Sequence, residues 1–390
     1  MSDPETPFGN YQFEIYLEGL SGRLPELPFT YDELERAARE VLDPGAFGYV
    51  AGGAGSEDTV HANREAFRRW RIVPRMLRDV GRRHLATTVL GTEMPAPLML
   101  APVGVQSIVH PDAEVAVARA AAALGVPIVL STASSKTLEE VAAAGGDAPR
   151  WYQLYWPRDP DFTVSLLRRA EQAGYRAVVV TLDTPMLGWR PRDLRLAYLP
   201  FLRGEGMANY LFDPVFRAAL PRPPEEDLMS ALLHWAAVFA DPTLTWERIT
   251  FLRDNTRLPL LLKGILHPDD ARRAAAAGVD GIIVSNHGGR QVDGAVGALD
   301  ALPAVVEAAG GAMPVLFDSG IRTGSDIVKA LALGARAVLI GRPYMWGLGL
   351  GGERGVTAVL RAFLADFDLA MALSGLAALE QLSPDVLRRD

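Results

Sequence analysis

Eight short apolar runs, spaced almost evenly along the chain, limit the folds open to it more than any other feature. They are PLMLAPVG (97–104), VPIVLST (126–132), WYQLYW (151–156), AVVVTLDT (177–184), LPLLLKG (258–264), GIIVSNH (281–287), MPVLFDSG (313–320) and AVLIGRP (337–343). Most are continuously hydrophobic rather than alternating, the pattern of parallel strands covered on both faces. The stretches between them, such as AEVAVARAAAALG, DDARRAAAAG and SDIVKALALGA, carry helical periodicity, and several end in glycine, a common helix stop. Run starts fall 23 to 32 residues apart, with one exception. Eight β–α units at that spacing predict an α/β chain folded as a (β/α)8 TIM barrel.

The exception separates the fourth and fifth runs. Residues 185–257 there are rich in aromatics, prolines and arginines. A stretch that long reads as a lid or binding loop, the alternative being a surface excursion or a subunit contact. One domain then covers 1–390: a helical N-terminal segment (1–96), barrel strands and helices (97–184 and 258–350), the lid-like insertion (185–257) and C-terminal helices (351–390).

Composition narrows the function. A net charge of −8 argues against a nucleic-acid or membrane-surface partner, which would want clustered positive charge. There is no cysteine, so disulfides, thiol nucleophiles and cysteine-ligated metals are out. No metal centre is expected, since the HExxH pattern is also absent. The N-terminus lacks a basic start followed by an apolar stretch, and no window approaches the roughly 18 apolar residues of a membrane span. The expectation is a soluble cytoplasmic protein.

In a barrel, the carboxyl ends of the strands carry the chemistry. Those ends supply Pro102 and Gly104, Ser131 and Thr132, Gln153 and Tyr155, Thr181 and Asp183, Lys263, His287 and Arg290, Asp318 and Arg322, then Gly341 and Arg342. Strands seven and eight form the usual phosphate side. Gly320, Gly324 and Gly341 let backbone N–H groups approach phosphate oxygens, with Arg322 and Arg342 to pair with them. A phosphate-bearing ligand is expected. GGAGSED (52–58) fails as a dinucleotide fingerprint, because Asp58 stands where the third glycine belongs and no apolar strand precedes it. Lys263 is one of three lysines and ends an apolar run, so it either snorkels at a loop mouth or is a point charge in the pocket. His287 could be a solvated rim histidine. With Asp183 to orient it and Arg290 to hold a carboxylate bidentately, it suits proton removal beside a carboxylate.

These residues closely resemble the FMN-dependent α-hydroxy acid oxidases and dehydrogenases, from about Tyr31 to near the C-terminus. The motifs are SNHGGRQ (285–291), QLY (153–155), TLDTP (181–185), LKG (262–264), DSGIRTG (318–324) and IGRP (340–343). The resemblance implies FMN as cofactor, with His287 the base, Asp183 its partner and Tyr155 a contact to the substrate hydroxyl. It implies that Arg290, Arg190 and Tyr49 hold the substrate carboxylate. Lys263 would face the N1/C2 carbonyl edge of the flavin, and Ser131, Gln153 and Thr181 the isoalloxazine edge, with Pro102, Val103 and Gly104 also on the cofactor. Asp318 would bind the ribityl chain, and Gly320, Arg322, Gly341 and Arg342 the phosphate. A homotetramer or larger homo-oligomer is implied too.

Within the family, NYQFEIYLEGL, GWRPRDL and the PFLRG…NYLFDPVF insertion look like the lactate 2-monooxygenase branch, as does Gly104. That implies L-lactate and O2 converted to acetate, CO2 and water, with Tyr210 of the insertion a candidate substrate contact. Ala133 implies a roomy side-chain pocket. An oxidase releasing pyruvate and H2O2 remains the alternative, followed by a barrel that binds FMN or phosphate without catalysis.

Overall fold

A computed structural model describes residues 7–390; residues 1–6 of the N-terminal segment lie outside the described residues. The eight runs form strands β1 (Leu98–Leu100), β2 (Ile128–Ser131), β3 (Arg150–Leu154), β4 (Val178–Thr181), β5 (Leu260–Ile265), β6 (Gly281–Val284), β7 (Val315–Phe317) and β8 (Val338–Ile340). All pair in parallel and close on themselves, β8 against β1. A helix follows each strand, for example Ala113–Ala123 after β1 and Gly324–Ala332 after β7.

Strand alternation divides the apolar residues between two cores. Leu98, Leu130, Val178, Leu262, Val284 and their neighbours face the helices. Met99, Val129, Trp151, Val179, Leu261, Ile283, Leu316 and Leu339 form a separate cluster filling the barrel. The hairpin Thr87–Val89/Thr92–Met94 adds Val89 and Met94 to that cluster, and Trp151 Nε1 donates to Thr92 Oγ1 at 2.8 Å. This plugs the barrel at its amino end. The free end is the carboxyl one.

The N-terminal segment covers part of that end. Asp43 caps the helix Pro44–Ala51, which carries Tyr49. The loop after it is laced to the barrel loops, Ala54 N–H donating to Gly289 O (2.8 Å) and Gly55 N–H to Trp189 O (2.9 Å). The insertion is built of short helices around a buried aromatic cluster, with Phe201 and Trp235 rings 4.8 Å apart. Its first residues form an exposed apolar lip, Met186 being 67% and Trp189 73% exposed.

The expected boundary at 350/351 lies at a break in Arg342–Leu373, where the non-helical backbone of Gly351 and Gly352 divides it into two helical stretches. The second stretch is the C-terminal helix; after Leu373 come short turns and the strand Leu387–Arg389, which pairs with Trp70–Ile72. No helix among the described residues is long and apolar enough to cross a membrane.

Candidate active site

The alternation that fills the barrel with apolar side chains reaches its last inward positions at the carboxyl end, and there the residues turn polar. Ser131, Gln153, Thr181, Lys263 and Asp318 each stand two residues beyond an apolar inward position. They hydrogen-bond sideways. Ser131 Oγ donates to Gln153 Oε1 (3.0 Å) and Gln153 Nε2 to Thr181 Oγ1 (2.9 Å). Lys263 Nζ donates to Ser285 Oγ (2.9 Å) and lies 3.2 Å from Asp318 Oδ2. Burial works against the lysine charge, but the Asp318 and Asp183 carboxylates outweigh it and hold its pKa above the ordinary value. Lys263 is therefore a fixed cation inside the pocket, not a snorkelling side chain.

Two residues beyond Thr181, Asp183 Oδ1 lies 2.8 Å from His287 Nδ1. His287 opens a tight turn with positive φ at His287, Gly288 and Gly289 (58°, 65° and 76°). The turn is held at its root: Asn286 and Asn63 exchange amide hydrogen bonds of 2.8 and 2.7 Å. Burial pushes the His287 pKa down, Asp183 pulls it up, and Lys263 and Arg190 push it down again; the net shift is downward. Asp183 is disfavoured by burial, yet His287 and Lys263 hold its carboxyl below the usual range. At neutral pH the pair is imidazole and carboxylate. With Nδ1–H donated to Asp183, the Nε2 lone pair is left to act as a base.

One cavity connects these groups. Among the described residues its walls carry five cations, Arg190, Lys263, Arg290, Arg322 and Arg342, against a single carboxylate, Asp318. Burial pushes the Arg290 pKa down to about 9, with Arg190 and Arg342 adding to the effect. Arg290 donates through Nη1 to Tyr49 O (2.6 Å) and Gly52 O (2.7 Å) and stacks 5.1 Å from the Tyr49 ring. Arg342 ties Val50 O, Gly288 O and Gly52 O together. The Arg322 guanidinium lies 3.9 Å from the Tyr31 ring centroid, and its Nε is buried without a hydrogen-bond partner. An excess of buried cations in a cavity calls for anions. A phosphate and a carboxylate fit this donor set.

Of the residues expected at the site, Tyr49, Pro102, Val103, Gly104, Tyr155, Arg190, Lys263, His287, Arg290, Asp318, Gly320, Arg322, Gly341 and Arg342 line the cavity. Ser131, Gln153, Thr181 and Asp183 stand behind that lining. Tyr155 is a neutral phenol whose pKa burial pushes up to about 12. A Cβ on Gly104 would meet Ala133 O at 2.6 Å, so glycine is needed there for two barrel loops to touch.

Tyr210 is a correction. It is fully buried, its ring 5.2 Å from Phe162 and 5.7 Å from Phe216, and it does not line the cavity. The insertion presents Leu187, Phe201 and Phe239 there instead, none of them foreseen. An irregular stretch has no periodicity to say which aromatic faces the core. Ser285 and Gln291 were also missed, although both sit within the quoted SNHGGRQ motif.

A barrel whose carboxyl end gathers a neutral, carboxylate-backed histidine and an excess of buried cations is an enzyme for anionic substrates that uses a phosphate-bearing cofactor. The chain belongs to the FMN-dependent dehydrogenase family, whose model matches residues 38–389. It is 47% identical to an FMN-dependent alpha-hydroxy acid dehydrogenase of Penicillium citrinum, over 99% of this chain and 97% of that one. It is 46% identical to an L-lactate oxidase of Lysinibacillus sphaericus, over 95% of each. A crystal structure of mandelate oxidase superposes with a TM-score of 0.82 at 42% identity, covering 93% of this chain and 98% of that one. The protein is an FMN-dependent 2-hydroxy acid oxidoreductase.

Proposed function

We propose that the protein oxidises L-lactate with O2 and keeps the keto acid in place until it is decarboxylated, so that L-lactate and O2 yield acetate, CO2 and water. The observation that carries the oxidation is the neutral His287, backed by Asp183, in a cavity whose cations outnumber its carboxylates. FMN, when bound, supplies the two-electron acceptor. Arg322, Arg342 and the backbone at Gly320 and Gly341 would hold its phosphate, and Asp318 its ribityl chain. Lys263 would supply positive charge at its pyrimidine edge, and Ser131, Gln153 and Thr181 would brace that side, opposite Pro102, Val103 and Gly104.

Arg190, Arg290 and the Tyr49 hydroxyl take the substrate carboxylate. Tyr155, a neutral phenol, meets the substrate hydroxyl, and His287 Nε2 takes the proton that leaves. Ala133, Leu187, Phe201 and Phe239 bound the side-chain space.

Retention is supported by the lip at 183–190, which is laced to two other loops around the arginines. A second reading, release of pyruvate with H2O2, is favoured by the similarity to relatives named L-lactate oxidase. Product analysis from L-lactate in air decides between them. Catalase must be present, because free peroxide would itself decarboxylate pyruvate. Acetate as main product supports retention; pyruvate makes the enzyme an oxidase. If no 2-hydroxy acid bleaches the bound flavin anaerobically, the oxidation itself is excluded.

A further inference from the structure

Gln291 has no place in the chemistry above: it is half-buried and does not line the cavity. Its amide is nonetheless fully engaged. Nε2 donates to Asp183 O (2.7 Å) and Met186 O (2.9 Å). Oε1 accepts from Arg190 Nη2 (2.9 Å) and from the Gly188 N–H (3.4 Å). Two carbonyls face the NH2 and two donors face the oxygen, so only this orientation of the amide satisfies all four. Every one of its bonds goes to the segment 183–190.

The surroundings point the same way. Arg190 Nε donates to Arg290 O at 3.1 Å, and a Cβ on Gly188 would come within 2.5 Å of that same carbonyl. The lip therefore lies directly on the backbone of the loop that carries the base. Its outer side is exposed and apolar at Met186 and Trp189 among the described residues. Beside the Arg190 Nε–Arg290 O bond and the Asp183–His287 contact, four hydrogen bonds between this segment and the His287 loop converge on one glutamine.

We propose that Gln291 is a latch, a positioning residue that holds the 183–190 lip, and the Arg190 guanidinium on it, against the loop bearing His287 and Arg290. This rests on the reading of Arg190 and Arg290 as the holders of the substrate carboxylate. The His287–Asp183 contact uses the Asp183 side chain, whereas Gln291 holds the Asp183 carbonyl. Loss of the latch accordingly loosens carboxylate capture and lip closure more than proton removal.

The test uses Gln291→Glu and Gln291→Leu as FMN-loaded holoenzymes. Glutamate keeps the length and the acceptors but loses both donors to the lip, so it preserves the test if the leucine variant fails to fold. Three quantities are read: tryptic cleavage after the exposed Arg192 and Arg195, oxalate affinity from the flavin absorbance change, and the KM-against-kcat split with L-lactate. The latch predicts cleavage about tenfold faster, oxalate binding and KM each worse by about tenfold, and kcat within about threefold of wild type.

Wild-type cleavage and oxalate affinity in Gln291→Glu would overturn the latch, as would a fall in kcat with KM unchanged. The two readings fail separately. If wild-type flavin is bleached by a 2-hydroxy acid but the variants behave as wild type, the latch falls alone. If no 2-hydroxy acid bleaches it while cleavage and oxalate binding respond as stated, the latch stands and the substrate reading falls.

Discussion

At His287 the low-dielectric surroundings and two neighbouring cations oppose one carboxylate, and the cations with burial prevail. The folded pKa lies below the ordinary 6.5, so the imidazole is already a base at neutral pH. Protonation on the acid side removes the base, so kcat/KM should be level through neutrality and fall only below pH 6.5. Asp183→Asn removes the main group pulling that pKa up, and the acid limb should move further down. The maximal rate of flavin reduction should fall by about 10²–10⁴, because the imidazolium formed loses its carboxylate. His287→Ala should keep the protein yellow with a loss of the same order. An acid limb centred above pH 7, or reduction at the wild-type rate in His287→Ala, would remove His287 from the role. Sequence pattern exposed this residue because a titratable group ending an apolar run stands out. Gln291, a neutral residue in the same motif, offered no comparable signal: its importance lies in four hydrogen bonds to backbone and arginine groups about a hundred positions away.

At the end of β5 the strand register slips between Lys263 and Ile265, leaving Gly264 in a bulge. Its φ is +107°, and a Cβ there would come within 2.8 Å of the Asp183 Cβ. The bulge thus does two things: it interrupts the ladder just past the buried lysine, before the last pair Ile265–Val284, and leaves room for the carboxylate that backs the histidine. Gly264→Ala meets both obstacles. It should cost about 1–2 kcal/mol for the backbone conformation alone, read as a lower urea midpoint. Displacement of Asp183 should also slow flavin reduction at saturating substrate, with FMN content retained. Full activity would mean that Asp183 can shift without loosening its hold on His287. The element itself was legible, since LPLLLKG reads as a buried strand ending in lysine and glycine. The need for glycine was not, because it arises from the neighbouring strand. The insertion shows the same limit in larger form: its aromatics were visible, but Tyr210 faces the core while Phe201 and Phe239 reach the cavity.

Across the whole molecule, the regular spacing of β–α units was enough to predict the closed barrel, because each unit must cover both faces of its strand. What spacing does not carry is how the chain before and after the barrel fastens onto it. Asp368, 1% exposed on the helix Arg342–Leu373, is the main fastening. Its Oδ2 accepts from Gly9 N–H (2.7 Å) and Arg83 Nη2 (2.8 Å), while Arg83 Nε reaches Oδ1 and Nη1 donates to Val80 O (2.8 Å). One carboxylate thereby joins the start of the described chain, the approach to the barrel and its last helix. None of these three residues lines the cavity. Asp368→Ala strands a guanidinium that is only 12% exposed and an N–H with it, and should cost about 3 kcal/mol. The urea midpoint should drop while FMN stoichiometry and kcat/KM stay at wild-type values. Replacing both partners, Arg83→Met with Asp368→Leu, should cost less than Asp368→Ala, because no charge is then left unpaired. If Asp368→Ala instead lowers kcat/KM by about tenfold or more, this fastening reaches the site through the N-terminal segment that brings Tyr49 to it. A double variant no more stable than Asp368→Ala would show that shape, not charge pairing, is what Asp368 supplies.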